Sequence, residues 1–259
     1  MALNKPIRDW AGKRVWLVGA STGIGAALAR RLAAAGARLA LSARSADKLK
    51  ALGAEMTGAL ILPLDVRDAP GLAEAYGQIK RQWGGADLAI FNAGTYAAMR
   101  ADQFDLAHMD EHFAVNYHGV TNGLAAILPD FIGRAAQYPA IAIVSSVAGY
   151  SGLPQALAYG PSKAALINLA ETLYLDLHPR GIGVYLVNPG FVDTPLTRQN
   201  TFRMPALISA DEAAEHMLAG FRAGVFEMHF PKRFTGLLKF MRLLPYSLYF
   251  PAIRNTTGQ

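Results

Sequence analysis

Seven short apolar runs recur along the chain: Arg14–Val18, Arg38–Ser42, Leu60–Leu64, Leu88–Asn92, Ile141–Ser145, Gly183–Val187 and Phe226–Phe230. Longer, helix-forming stretches separate them, and this alternation constrains the fold more than any other feature. Antiparallel strands can be joined by a two-residue turn, whereas parallel strands need a crossover of a dozen or more residues. Runs that are apolar throughout, rather than at every second position, fit strands buried on both faces. The first intervening stretch, Ile24–Ala35, is built from Ala, Leu and Arg, which favour helix. The expected fold is α/β: a doubly wound parallel sheet of about seven strands with helices on both faces. No Pro/Gly/Ser-rich linker or internal repeat divides the chain, so residues 1–259 read as a single domain. A hydrophobic fraction of 52% with 17% charged residues excludes a disordered chain.

Charge and cysteine content narrow the function. The chain has no cysteine, which excludes disulfides, thiolate metal sites and cysteine nucleophiles. The segment Met1 to Lys13 is charged and lacks the apolar run of a signal peptide, so a cytoplasmic protein is expected. The formal net charge is +6 and the last acidic residue is Glu227, so the tail beyond it carries one sign of charge only. No recognised nucleic-acid motif accompanies that charge, and nucleic acid is not an expected partner.

The first apolar run leads directly into Gly19-Ala20-Ser21-Thr22-Gly23-Ile24-Gly25 and then a helix. Glycines here let the chain turn tightly and bring backbone N–H groups close to a pyrophosphate, which the positive end of the helix dipole also attracts. The second run ends in Leu41-Ser42-Ala43-Arg44-Ser45. A carboxylate at that point would bind the 2′-hydroxyl of an adenine ribose and repel a 2′-phosphate. Here there is none, and Arg44 offers a guanidinium fork to a phosphate, so NADP(H) is favoured over NAD(H). Tyr159 and Lys163 stand four apart, on one face of a helix. A tyrosine hydroxyl titrates near ~10, and a neighbouring ammonium would stabilise its phenolate and make it a better proton shuttle. His108 and His112 share this four-residue spacing, but no Glu follows His108 as in zinc proteases, and they read as a surface helix rather than a metal site.

Four motifs in this order resemble the short-chain dehydrogenase/reductase family over roughly residues 12–230: Gly19-x-x-x-Gly23-x-Gly25, Asn92-Ala93-Gly94, Tyr159-x-x-x-Lys163 and Pro189-Gly190. The resemblance implies a Rossmann-like oxidoreductase that transfers hydride between a nicotinamide and a carbonyl or alcohol. It assigns cofactor binding to Gly19, Ser21, Thr22, Gly23, Ile24 and Gly25, to Arg44, and to Asp65 and Val66 at the adenine edge. It extends this to Asn92, Ala93 and Gly94, to Tyr159 and Lys163, and to Pro189, Val192 and Thr194 around the nicotinamide. It implies a catalytic tetrad of Asn116, Ser146, Tyr159 and Lys163, with Ser146 thirteen residues before Tyr159 as is usual in the family. In that scheme Tyr159 transfers the proton, Ser146 orients the substrate oxygen, Lys163 tunes Tyr159, and Asn116 holds a water on the proton path. Two positions depart from the family pattern, Val18 where Thr is usual and Phe91 where Asn is frequent. A non-catalytic NADP-sensing protein would lack Tyr or Lys from the pair, and an NAD-linked alcohol dehydrogenase is the alternative among enzymes.

The substrate side is read from composition. Residues 191–215 mix polar and apolar side chains, including Arg203, as suits a mobile substrate lid. The tail 231–259 is basic and apolar together, with Leu237, Leu238, Met241 and Leu244 expected near one helical face and Pro245 ending the pattern. Two readings of it stand: a helix packed on the pocket or a partner subunit, or an interfacial helix on anionic lipid. Either leaves an apolar pocket mouth, which points to a hydrophobic, lipid-derived carbonyl or alcohol. The resemblance implies a homodimer or homotetramer built on helices around residues 108–134 and 159–177.

Overall fold

The computed structural model describes residues 2–200, 202 and 204–257; Thr201 and Arg203 of the expected lid and the last two residues of the tail lie outside them. In chain order the elements are β1 (Arg14–Val18), α1 (Gly23–Ala34), β2 (Arg38–Ser42), α2 (Ala46–Ala54), β3 (Leu60–Ile61), α3 (Ala69–Trp83) and β4 (Leu88–Phe91). There follow α4 (Leu106–His112), π-helical turns over Phe113–His118, α5 (Gly119–Gly133), β5 (Ala140–Val144), α6 (Tyr159–Leu177) and β6 (Gly183–Pro189). The chain ends with α7 (Ala210–Ala223), β7 (Glu227–Phe230), α8 (Lys232–Met241) and α9 (Tyr246–Thr257).

All seven strands pair in parallel, in the order β3-β2-β1-β4-β5-β6-β7. The expected strands are present, with small shifts at their ends. The third stops at Ile61, because Pro63 has no N–H for the ladder, although Leu62 and Leu64 still bond to the carbonyls of Leu41 and Ala43. The sixth runs on through Pro189 beside β7.

The pleat explains the layers. Successive side chains of a strand point to opposite faces. Val15 and Leu17 of β1 enter a core with α1 and α7, while Trp16 and Val18 enter a second core with α3, α5 and α6. From β1 the chain winds outward to β2 and β3, then returns to place β4 on the other side of β1. Between β1 and β4 the strand order reverses, and the carboxyl ends of strands at such a point open a crevice. Val18 and Phe91, the two departures from the family pattern, are buried side chains beside it. Phe91 lies against Gly123 so closely that a Cβ added there would stand 2.1 Å from the ring. The bulky Phe91 therefore fits because α5 has no side chain at that point.

The tail differs in register from its expected apolar face. Met241 is buried and Leu238 is partly buried, but Leu237 points outward. The stop at Pro245 is as expected, since α8 ends at Met241 and α9 begins at Tyr246.

Candidate active site

The glycine loop forms one end of the crevice. Gly19 and Gly23 adopt positive φ values of 91° and 54°, which favour glycine. A Cβ on Gly19 would fall 2.4 Å from the Ala93 nitrogen, and one on Gly25 would fall 2.1 Å from the Gly19 carbonyl oxygen. Gly25 therefore lies behind the loop and lets α1 close onto it, while Gly19, Ser21, Thr22, Gly23 and Ile24 line the crevice. The Asn92 side-chain amide donates to the Gly19 carbonyl at 2.8 Å and fixes the loop to the end of β4.

These residues open onto a cleft of about 400 Å³ that runs across the carboxyl ends of β1, β2, β4, β5 and β6. Arg44, Asp65 and Val66 lie along it, as do Asn92, Ala93 and Gly94, Ser146, Tyr159 and Lys163, and Pro189, Val192 and Thr194. A dinucleotide fits this shape: backbone without Cβ atoms at the loop, cations at one end and proton-bearing groups at the other. Arg44 is exposed at the cleft wall, and Lys48, in the first turn of α2, stands on the same wall. Lys48 carries no signal in the sequence, because only the fold of α2 brings it beside the end of β2. Asp65 faces the cleft while also held by Arg67 at 2.7 Å, which keeps its carboxyl below the usual carboxylate range. Thr194 closes over the glycine loop, since a Cβ on Gly23 would meet its methyl at 2.8 Å.

The chemical end is built from α6 and the loop after β5. α6 begins at Tyr159 itself, with Pro161 in its first turn where the missing N–H costs nothing. Lys163 is buried, its ammonium donates to the Val144 carbonyl at 3.1 Å, and it lies 5.6 Å from the centre of the Tyr159 ring. Burial lowers the Lys163 pKa to about 8. It also pushes the Tyr159 hydroxyl up to about 12, against a hydrogen bond with Ser146 that pulls the other way. The proton of Tyr159 is thus firmly held in the cleft as it stands.

The two serines differ in their bonds. The Ser145 hydroxyl donates to the Lys163 carbonyl at 2.7 Å and fastens β5 to α6. The Ser146 hydroxyl accepts from the Ala148 N–H at 3.1 Å, leaving its proton to turn toward Tyr159 in the cleft.

Asn116 lies behind this wall, fully buried in the π-helical turns. Its oxygen accepts from the Thr95 N–H at 2.7 Å, and its nitrogen donates to the Thr95 carbonyl at 3.1 Å and the Ser162 hydroxyl at 3.0 Å. A Cβ on Gly94 would sit 3.3 Å from the Asn116 oxygen and 3.5 Å from the Lys163 ammonium, so Gly94 allows the two residues to approach. His112 is buried rather than on a surface helix. Its Nδ1 lies 2.7 Å from the His108 carbonyl and its Nε2 accepts from the Ala97 N–H at 3.0 Å. Burial holds its pKa below the usual value for histidine, and with both nitrogens engaged it acts as a neutral brace beside Tyr159.

A family model for short chain dehydrogenase matches residues 13–204. An uncharacterized oxidoreductase of Myxococcus xanthus is 34% identical over 243 residues, covering 92% of this chain and 95% of its own. A 3-dehydrosphinganine reductase of Arabidopsis thaliana is 31% identical over 233 residues, covering 83% of this chain and 68% of its own. Among solved structures, a short chain dehydrogenase from Burkholderia cenocepacia in complex with NADP superposes with a TM-score of 0.82, at 23% identity, over 97% of this chain and 100% of its own. A short chain dehydrogenase/reductase from Burkholderia phymatum in complex with NAD gives a TM-score of 0.82, at 22% identity, over 90% of this chain and 94% of its own. The chain belongs to the short-chain dehydrogenase family and is an oxidoreductase of the class acting on CH–OH groups.

Proposed function

We propose that the protein interconverts a carbonyl and an alcohol on a hydrophobic, lipid-like substrate with NADP(H) as its cofactor. The observation that carries this reading is one cleft with Arg44 and Lys48 at one end and Ser146, Tyr159 and Lys163 at the other. When bound, the nicotinamide supplies or accepts the hydride. Ser146 donates to the substrate oxygen, and Tyr159 delivers the proton to that oxygen in reduction and removes it in oxidation. Lys163 brings positive charge to the nicotinamide end and favours the Tyr159 phenolate. Asn116 is a positioning residue, its side chain holding Thr95 and Ser162 behind Gly94 and Lys163. Gly19, Ser21, Thr22, Gly23 and Ile24 cradle the pyrophosphate, with Gly25 behind them. Asp65 and Val66 border the adenine, and Asn92, Ala93 and Gly94 border its riboses. Pro189, Val192 and Thr194 flank the nicotinamide.

Two phosphate-seeking cations and no carboxylate at the end of β2 support NADP(H). The solved neighbours include both an NADP and an NAD complex, so the preference rests on Arg44 and Lys48. Aromatic side chains support the apolar substrate. Tyr96 meets Tyr159 edge-on at 5.1 Å, and Phe191 in residues 191–215 contacts Phe202 and Phe234 at 5.8 and 5.6 Å. That segment is the proposed lid. The Arabidopsis relative is named for a long-chain keto lipid, which agrees with this class. We place the enzyme in the cytoplasm as a homodimer or homotetramer on the helices around residues 108–134 and 159–177, where Ile132 and Leu175 are exposed. Its tail makes peripheral membrane contact.

The test is NADPH and NADH oxidation against ketones of increasing chain length, with Tyr159→Phe and Arg44→Ala. Rates that rise with chain length and vanish in Tyr159→Phe support the reading. Arg44→Ala should raise KM for NADPH roughly tenfold or more and leave that for NADH unchanged. A wild-type preference for NADH would overturn the cofactor assignment, and indifference to chain length the substrate class.

A further inference from the structure

We propose that α8, α9 and the turn between them form a docking surface for an anionic lipid bilayer. The proposal rests on the reading of the tail as a membrane contact, and it gives that contact a face, a set of residues and a lipid charge.

The two helices are anchored from beneath. Thr235, Met241, Tyr249 and Ile253 are buried, the Tyr249 hydroxyl donates to the Gly152 carbonyl at 2.7 Å, and Lys239 pairs inward with Glu227. With that side fixed, the opposite side is presented outward. Arg233, Leu237 and Phe240 follow one another at helical spacing on α8, and Tyr246, Phe250 and Arg254 do so on α9. Leu243 joins them in the turn and is 80% exposed, Tyr246 is 75% exposed and Phe240 61%. The rings of Tyr246 and Phe250 stack with centres 5.3 Å apart and form one exposed aromatic surface along α9.

Charge identifies the occupant. Lys232, Arg233 and Arg254 are exposed on these helices and Arg242 in the turn between them, and none is in an ion pair among the described residues. No Asp or Glu follows Glu227, so the segment carries no counter-charge of its own. Apolar and aromatic side chains rimmed by unneutralised cations match a surface of anionic headgroups over acyl chains, where each cation adds about 1 kcal/mol. No helix among the described residues is long and apolar enough to cross a membrane, so the pair would lie in the interface. Phe234 of α8 packs on Phe191 and beside Gly190, so the inner side of α8 reaches the edge of the cleft and the proposed lid.

The experiment is co-sedimentation of the full chain with phosphatidylcholine vesicles and with the same vesicles containing about 30% phosphatidylserine. Turnover of a water-soluble short-chain ketone, measured in parallel, reads the catalytic site separately. Binding to anionic vesicles only is expected. It should fall roughly 20- to 30-fold in Arg233→Gln/Arg242→Gln and disappear in Phe240→Ser/Leu243→Ser, with ketone turnover unchanged. Equal binding to neutral vesicles, or binding that survives Phe240→Ser/Leu243→Ser, would overturn the assigned surface. No vesicle binding, together with an oligomer that dissociates in Phe240→Ser/Leu243→Ser, would assign the face to a second copy of this chain. No vesicle binding with full ketone turnover would remove the membrane contact and leave the active-site reading standing.

Discussion

Lys163 sits in the interior with the Val144 carbonyl as its acceptor, and its pKa lies at about 8 in the fold against 10.5 for an ordinary lysine. Between those values the unfolded chain binds more protons than the folded one, so stability rises with pH across that window. The Tyr159 hydroxyl, raised to about 12 from 10.0, acts in the opposite sense: its contribution is present below pH ~10 and is lost as pH rises further. Without cofactor, denaturant titrations from pH 7 to 10 should show the wild type gaining roughly 2 kcal/mol or a little more relative to Lys163→Met. A constant difference across that range would mean the ammonium is not desolvated. The two serines give a second residue-scale test. Ser146→Ala should lower kcat by roughly 10²- to 10³-fold while changing stability little. Ser145→Ala removes the bond to the Lys163 carbonyl and should instead cost about 1 to 2 kcal/mol of stability. The reverse pattern would exchange their roles. Spacing had singled out Ser146, but it could not show what Ser145 does, because the Lys163 carbonyl comes from a different element.

At the scale of elements, Glu227 at the start of β7 gathers three parts of the site. Its carboxylate accepts from the Tyr150 hydroxyl at 2.5 Å and the Asn188 amide at 2.8 Å, and it pairs with Lys239 of α8. Burial opposes its ionisation, but Lys239, Tyr150 and Asn188 together hold its pKa below the usual carboxylate range. Tyr150 caps the turn after Ser146, and Asn188 precedes Pro189-Gly190, so one carboxylate links both cleft loops to the tail. Glu227→Gln keeps the shape but loses the charge, and it should lower stability by about 2 kcal/mol. A double-mutant cycle with Lys239→Met should show clear non-additivity. Strict additivity would mean the pair is energetically idle. None of this was legible in the sequence, where Glu227 reads only as the last acid of the chain. The tail face was half legible: hydrophobic spacing marked α8 as amphipathic, but the inner side was decided by the Glu227–Lys239 pair, which turns Leu237 outward.

Across the whole molecule, most of the seven strands could be read because buried parallel strands are apolar without interruption, whereas the edge strand β7 alternates Glu227 and His229 with buried Met228 and Phe230. What the sequence could not supply was how the amino-terminal arm closes the sheet. Asn4 is buried and its side chain mimics a strand residue, with Nδ2 donating to the Val184 carbonyl at 2.8 Å and Oδ1 accepting from the Val184 N–H at 3.0 Å. This amide covers the start of β6 before β7 begins, and Leu3 and Asn4 also donate to the Gly224 carbonyl after α7. Asn4→Ala would orphan two buried backbone groups, and thermal unfolding should show a loss of about 2 to 3 kcal/mol. A loss below about 0.5 kcal/mol would mean the arm is a passenger. Nothing in the composition of the first residues marks Asn4, because its partner lies 180 positions away.

The π-helical turns at Phe113–His118 have a consequence for anyone who counts along this chain. An α-helix advances about 100° per residue, so one residue taken up in a wider turn changes the phase of everything after it. Positions from α4 and from α5 that share a heptad or a wheel projection on paper do not share a side of the rod. Asn116 faces Thr95 and Ser162 from within that phase step. A comparison or redesign that treats residues 106–133 as one uninterrupted helix will therefore be out of phase on one side of Asn116.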